Sequence, residues 1–317
     1  MRKVLITGGQ GFIGINLLKK LRANEEVTEI HVLDNNDSKD LFIKAIGVSK
    51  SIKLIKGSIL DPNLSRILDK EYDYIIHTAA ILGIKKVAEE SVDTLNVNII
   101  GTRNCLEIAK SMKSLKGFLY LSTSEVYGPN AYGLNENDPA IIPSTGKRWC
   151  YAASKLTGEQ YVKAYAAEYS IPYIIIRPFN IYGPLRYGSN AISLFISNAL
   201  NNINIEISGD GSQKRSWCYI DDFVDATLFA MLEVNISNET FNLGNPNCYL
   251  SIRDLAILII KLSNSKSNII ITNSLIEDVQ DRKPNIVKAQ KMLNYNPLIS
   301  LEEGLAKTIN WMKNGKS

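Results

Sequence analysis

Short apolar runs separated by helical patterns fill the first half of the chain. Lys3–Thr7, Glu29–Asp34, Ser51–Lys56, Tyr74–Thr78, Gly117–Ser122 and Tyr173–Arg177 read as strands, and Phe12–Asn24, Pro62–Asp69, Ser91–Lys110 and Tyr151–Glu168 as helices between them. Strands alternating with helices predict a parallel sheet covered on both faces. Short right-handed crossovers then give a doubly wound α/β fold. The alternation is lost after Arg177. Gly183-Pro184, Gly209-Asp210-Gly211 and Gly244-Asn245-Pro246 punctuate loops between short elements. Leu255–Ile260 fits a buried helix, and the Asn-rich stretch 198–204 a helix end and turn. The pattern predicts a first domain of residues 1–178 joined by about 217–241, and a smaller C-terminal α/β lobe of residues 179–216 and 242–317.

Composition narrows the classes. With 317 residues, 45% hydrophobic and 21% charged, the chain can build a sizeable core. Its net charge of +4 is scattered, without the basic stripe of a nucleic-acid binder, and suits an anionic ligand. Cys105, Cys150, Cys218 and Cys248 are widely spaced and form no CxxC pair, which reads as free thiols in a reducing, cytoplasmic compartment. With His31 and His77 the only histidines, no metal site is expected. Met1-Arg2-Lys3 runs straight into Val4-Leu5-Ile6 without a signal-peptide pattern, and no apolar run reaches the roughly 18 residues of a membrane helix, so no membrane association is expected.

The first strand runs into Gly8-Gly9-Gln10-Gly11-Phe12-Ile13-Gly14, which opens a helix. Glycines at 8, 11 and 14 allow a tight turn and close approach of a pyrophosphate to the amide donors of a helix N-terminus. A strand-to-helix turn without a ligand is the plain alternative. Asp34 ends the second strand, where an acid binds ribose hydroxyls and repels a 2′-phosphate, so the motif predicts a Rossmann dinucleotide site that prefers NAD to NADP.

Tyr151-Ala152-Ala153-Ser154-Lys155 sets a tyrosine and a lysine one helical turn apart. A lysine ammonium favours the phenolate, which can then take a proton from a substrate hydroxyl as hydride leaves. A surface tyrosine and a solvated lysine are the plain alternative. Ser122-Thr123-Ser124-Glu125 follows a predicted strand, at the sheet edge where such folds bind ligands.

With these motifs the chain resembles the extended short-chain dehydrogenase/reductases of the nucleotide-sugar epimerase/dehydratase group. The resemblance runs nearly end to end. It includes His77-Thr78-Ala79-Ala80, Asn98-Ile99-Ile100-Gly101-Thr102, Ser122 to Gly128, Arg177 to Pro184, Arg215 to Asp222, Arg282 to Asn285 and Leu301 to Leu305. It implies an enzyme in which Thr123 holds the sugar C4 oxygen, with Ser124 beside it. Tyr151 is the base, and Lys155 its electrostatic partner and a ribose ligand. Asn180, Arg215 and Arg282 contact the nucleotide diphosphate of a UDP-, GDP- or dTDP-sugar. Gly8, Gly11, Phe12, Ile13, Gly14, Asp34, Ser58, Ile59, Ala79, Ala80 and Asn98 line the NAD site. Ser58 departs from the pattern, standing where many members carry the acid that meets adenine; main chain or Asp61 is the expected substitute. The resemblance also implies a homodimer through helices matching Ser91–Lys110 and Tyr151–Glu168, with Val97, Ile100, Leu106, Val162 and Tyr165 as candidate contacts.

Glu125 bears on the reaction. After oxidation at C4, a carboxylate there can remove the C5 proton for 4,6-dehydration, the leading expectation. Ser124-Glu125 also resembles nucleotide-glucuronate decarboxylases, although their Tyr-Asp-Glu-Gly-Lys is replaced by Tyr-Ala-Ala-Ser-Lys. Arg177-Pro178-Phe179-Asn180 resembles 4-epimerases. A non-catalytic NAD-binding regulator is the alternative from another class; an intact Thr123, Tyr151 and Lys155 argues against it.

Overall fold

A computed structural model describes residues 2–36, 39–47, 49–188, 190–232, 236–273 and 279–315. Seven strands form the central sheet: β1 (Arg2–Thr7), β2 (Val27–Asp34), β3 (Ile52–Lys56), β4 (Tyr74–His77), β5 (Gly117–Leu121), β6 (Tyr173–Pro178) and β7 (Glu239–Leu243). Their order is β7-β6-β5-β4-β1-β2-β3, and the pairs β1–β2, β2–β3, β1–β4, β4–β5 and β5–β6 are parallel. This is the doubly wound Rossmann sheet. Strand segments such as Val4-Leu5-Ile6 and Ile174-Ile175-Ile176 are buried on both faces, as a sheet covered by helices on each side requires. Winding runs from β1 outward to β3, then returns to β4 on the other side of β1. The loops after β1 and β4 therefore meet at a topological switch point, where folds of this kind bind ligands.

The structure divides into two compact units. The first comprises Met1–Val126, Ile142–Arg177 and Val224–Phe241, and the second Tyr127–Ile141, Pro178–Phe223 and Asn242–Ser317. Two segments are thus distributed differently from the sequence expectation. Trp217–Phe223 falls in the second unit because Cys218–Tyr219 pairs in parallel with Ile181–Tyr182. Residues 127–141 do so because Asn130–Tyr132 pairs with Asp281–Lys283, about 150 positions away. The second unit holds a four-stranded sheet in the order Tyr249–Ser251, Lys214–Ser216, Asp281–Lys283, Asn130–Tyr132. It also holds the pair Ile205–Ser208 with Ile269–Thr272 and the helices Ala191–Leu200, Ile252–Ser263 and Leu301–Asn314. Residues 189, 274–278 and 316–317 of the expected lobe lie outside the described residues.

The expected helix Ser91–Lys110 is three segments: α-helix Ser91–Leu95, a π-helical turn Asn96–Ile100, and α-helix Gly101–Ser111. Leu106 and Val162, candidate contacts for a second copy, are buried in the chain's own core with Leu5, Ile75, Phe118 and Ile175. Both helices turn these side chains onto the sheet, so neither is available to a partner. Val92 and Ile100 are exposed. Among the described residues no helix is long and apolar enough to cross a membrane. The four cysteines are free thiols.

Candidate functional site

The glycine loop has the geometry of a phosphate cradle. Gly8 has φ +71°, and a Cβ added to it would lie 2.6 Å from the Ala79 backbone in the loop after β4. A Cβ on Gly14 would lie 2.6 Å from the Gly8 carbonyl oxygen, so this helix turn packs backbone on backbone. Gly11 starts the helix Phe12–Arg22 with no side-chain cap bond, and the first turn carries no acid while the last turn carries Lys19, Lys20 and Arg22. Aligned amides with no capping side chain, at the positive end of a helix dipole, suit a pyrophosphate. Phe12 and Ile13 are half-buried in this turn.

Asp34 sits at the end of β2 beside this loop. Its carboxylate accepts from the Gln10 amide at 2.9 Å and from the Asn36 amide at 2.9 Å. A carboxylate has lone pairs to spare after two such bonds, which suits ribose hydroxyls. Ser58 begins a turn after β3, its Oγ accepting from the Leu60 amide at 3.1 Å; Asp61 accepts from the Asn63 amide at 2.8 Å. The Ile59 side chain belongs to the core, while its carbonyl accepts from Asn104 Nδ2 at 2.9 Å. Ala79 and Ala80 are half-buried in the loop after β4. The π-helical turn brings Asn98 inward. Its amide bridges Ile81 N at 2.9 Å, Ile81 O at 3.1 Å and Ser154 Oγ at 3.0 Å, tying the loop after β4 to the helix that carries Tyr151.

The groups expected to transfer protons lie just after β5 and on the helix Trp149–Tyr169. Ser122, Thr123 and Ser124 are buried, and Thr123 Oγ1 accepts from the Glu125 amide at 3.2 Å, which fixes its rotamer. Tyr151 and Lys155 lie one turn apart on the helix Trp149–Tyr169. Lys155 is 3% exposed, its Nζ donates to the Leu121 carbonyl at 2.7 Å, and it stands 5.0 Å from the centre of the Tyr120 ring. Burial pushes its pKa down to about 7, with the Glu159 carboxylate opposing that shift. A lysine poised there can favour the tyrosine phenolate without being held permanently charged by solvent.

In the second unit, Arg215 and Arg282 are register partners on adjacent parallel strands, each 6% exposed. Arg215 donates to the carbonyls of Lys214, Gln280 and Val279. These carbonyls orient the Arg215 guanidinium, and two guanidinium groups side by side on adjacent strands are of the type that binds an anion such as a diphosphate. Asn180 adopts φ +45° and its Nδ2 donates to the Ser216 carbonyl at 3.0 Å.

Residues 4–244 match the NAD dependent epimerase/dehydratase family. The chain belongs to this family. NAD is accordingly its cofactor, and the cradle and Asp34 fit it. The chain is 36% identical to the UDP-N-acetyl-alpha-D-glucosaminuronate decarboxylase of Bacillus cytotoxicus, covering 98% of each chain. It is 32% identical to the dTDP-D-glucose 4,6-dehydratase of Dictyostelium discoideum, over 100% of this chain and 83% of that one. Among solved structures, the UDP-glucuronic acid 4-epimerase of Bacillus cereus, in complex with UDP-glucuronic acid and NAD, superposes with a TM-score of 0.88 at 30% identity, covering 98% of this chain and 99% of the other.

Four residues of this family member lie in or against the site without having been given a role in the sequence; His77 and Arg177 had entered only as parts of longer motifs, and Arg148 and Glu159 had not stood out. Arg148, 7% exposed, places Nη2 3.9 Å from the Glu125 carboxylate and packs 5.0 Å from the Trp149 ring. Its signal was a basic residue three positions before Tyr151. Glu159 and Arg177 form a buried ion pair, signalled by an acid one turn beyond Lys155 and a lone charge in the run Ile174-Ile175-Ile176-Arg177. His77 bridges Thr7 Oγ1 at 2.7 Å and Thr102 Oγ1 at 3.0 Å. Thr102 donates to the Asn98 carbonyl, so it accepts from Nε2–H, and His77 is the neutral Nε2 tautomer. Elsewhere, Glu29, His31 and Asp69 lie close enough to share a cation, but the Lys3 ammonium already pairs with both carboxylates.

Proposed function

We propose that this enzyme decarboxylates a UDP-linked uronic acid. The observation that carries the reading is Arg148, a buried guanidinium at the start of the Tyr151 helix, beside Glu125. A neutral hexose requires no such cation, whereas a sugar carboxylate does. The full-length likeness to a UDP-uronate decarboxylase supports the same reading.

NAD, when bound, supplies the acceptor and later the donor of a hydride at the sugar C4. The chain's residues handle the protons and charges. Tyr151 takes the C4 hydroxyl proton, the Lys155 ammonium stabilises the phenolate, and Thr123 Oγ, with Ser124 beside it, holds the C4 oxygen. The C6 carboxylate is then β to a ketone. The C5–C6 bond breaks, carbon dioxide leaves, and the electron pair moves to the C4 oxygen. Arg148 is assigned to orient the carboxylate before it leaves, and Glu125 to return a proton to C5. In the second unit Arg215 and Arg282 are assigned to the diphosphate, with Asn180 holding the chain that flanks them.

A second reading, 4-epimerisation of a UDP-uronate, is favoured by the structural likeness to an epimerase of that substrate. The 4,6-dehydration that headed the sequence expectations ranks below both, because a sugar without a carboxylate gives Arg148 no anion to meet. Incubation with UDP-glucuronate, UDP-N-acetylglucosaminuronate and dTDP-glucose, with products analysed by mass, separates the three: loss of carbon dioxide, unchanged mass, or loss of water. A homodimer formed through the helices 91–111 and 149–169 would rest on the exposed Val92 and Ile100; a monomer in light scattering at micromolar concentration would refute it.

A further inference from the structure

Tyr151, Lys155 and Glu159 follow one another at intervals of four on the helix Trp149–Tyr169 and so share one face. Glu159 is 0% exposed. Its carboxylate accepts from Ser122 Oγ at 2.6 Å, from Arg177 Nε at 2.8 Å and from Arg177 Nη2 at 2.6 Å. The arginine bond is bidentate, the strong and orientation-specific form. Ser122 lies between Leu121, whose carbonyl receives Lys155 Nζ, and Thr123. The segment that presents Thr123 is therefore pinned twice to one helix face, by Lys155 and by Glu159.

We propose that Glu159 is a positioning residue: from its fully buried place one turn beyond Lys155, it favours the charged form of that lysine and holds the Thr123 strand end against the Tyr151 helix. The proposal rests on the Tyr151–Lys155 proton relay and does not depend on which of the three reactions follows. Arg177 completes the arrangement by pairing with the carboxylate and orienting it. A buried carboxylate left alone would be costly, and a buried arginine left alone equally so.

The groups around Lys155 make Glu159 the source of its charge balance. Its own helix brings Tyr151 and Glu159. β5 brings Tyr120, whose hydroxyl donates to the Lys155 carbonyl at 3.3 Å and whose pKa burial raises well above its ordinary value. β4 brings His77, kept neutral by burial, with its pKa near 3. The helices packed alongside bring Asn98 and Thr102, both uncharged. Against the burial that lowers the Lys155 pKa, Glu159 is the group that raises it.

The test is a titration of Lys155 by NMR in the full-length, NAD-loaded protein labelled at lysine Cε, without substrate. The resonance is assigned by its loss in Lys155→Arg. Glu159→Gln should move the midpoint down by about one pH unit or more, the size of shift a nearby opposite charge produces. Glu159→Gln/Arg177→Met removes both charges together. Its midpoint should fall between the wild type and the single variant, and it carries the test should Glu159→Gln not fold. Glu159→Asp should return the midpoint toward wild type. The pH dependence of turnover should follow: with Lys155 neutral at lower pH, the Tyr151 phenolate needs higher pH to form, and the rising limb moves upward. A purely structural role predicts less active protein with an unmoved midpoint and limb, and that result overturns the proposal. Because the titration uses no substrate, absence of turnover on UDP-uronates would count against the proposed reaction and not against this assignment.

Discussion

The Arg148 guanidinium lies 3.9 Å from the Glu125 carboxylate, joining the residue just before the Tyr151 helix to the turn that follows Thr123. If Arg148 meets the sugar carboxylate, Arg148→Met should raise KM for a UDP-uronate about 10- to 100-fold, since a charge-assisted hydrogen bond is worth about 1.5–3 kcal/mol. Calorimetry should show unchanged binding of UDP-glucose, which has no carboxylate. Equal losses for both ligands would show that Arg148 serves only to hold Glu125.

The backbone contact at Gly14 makes a second expectation. A Cβ there would stand 2.6 Å from the Gly8 carbonyl oxygen and from Gly9 Cα, so in Gly14→Ala the cradle must open. Overpacking of this kind destabilises by about 1–3 kcal/mol, and NAD affinity measured by calorimetry should fall at least about tenfold, the equivalent of about 1.4 kcal/mol. Wild-type affinity in a folded Gly14→Ala would show that the loop does not hold the pyrophosphate.

Asp34 should set the choice of nicotinamide cofactor. Its carboxylate is anchored by the Gln10 and Asn36 amides at the loop edge, where a 2′-phosphate would meet a fixed negative charge. NAD should bind more tightly than NADP, and Asp34→Ser should narrow the gap. Tighter binding of NADP to the wild type would contradict this.

His77 predicts a pH dependence of stability. Burial lowers its pKa to about 3 from an ordinary 6.5. Between those values the unfolded chain takes up a proton that the folded protein does not. The contribution is therefore intact above pH 6.5 and declines as pH falls below it, by up to about 1.4 kcal/mol per unit. His77→Asn, which cannot take the proton, should show a shallower loss in denaturant melts compared at neutral and mildly acidic pH. Parallel slopes for both proteins would contradict the assignment.

The first six strands of the sheet were legible because each is a short apolar run bounded by turn residues, and burial on both faces produces just that signal. Glu239–Leu243 was missed: Glu-Thr-Phe-Asn-Leu alternates like an ordinary half-exposed segment, and only its place at the sheet edge makes it a strand. The break in the helix at Asn96–Ile100 was illegible because a π-helical turn changes the hydrogen bonding without changing the apolar pattern. The glycine loop, Asp34, Thr123, Tyr151 and Lys155 stood out in the sequence because the chemistry expected of them depends on local spacing. Glu159–Arg177 and Arg148–Glu125 each join residues 18 or more positions apart, so no local spacing announces them. The four-stranded sheet of the second unit is assembled from strands of three residues, too short to carry a period, and it brings Arg215 and Arg282 into register from distant parts of the chain.

The most direct test of the proposed reaction follows one carbon atom. A UDP-uronate labelled with carbon-13 at C6 is incubated with the NAD-loaded enzyme, and the label is tracked by NMR. The label should appear as carbon dioxide and bicarbonate, the sugar product should lack C6, and Tyr151→Phe should release none. Turnover with the label retained in the sugar would contradict decarboxylation, and a labelled sugar inverted at C4 would establish epimerisation in its place.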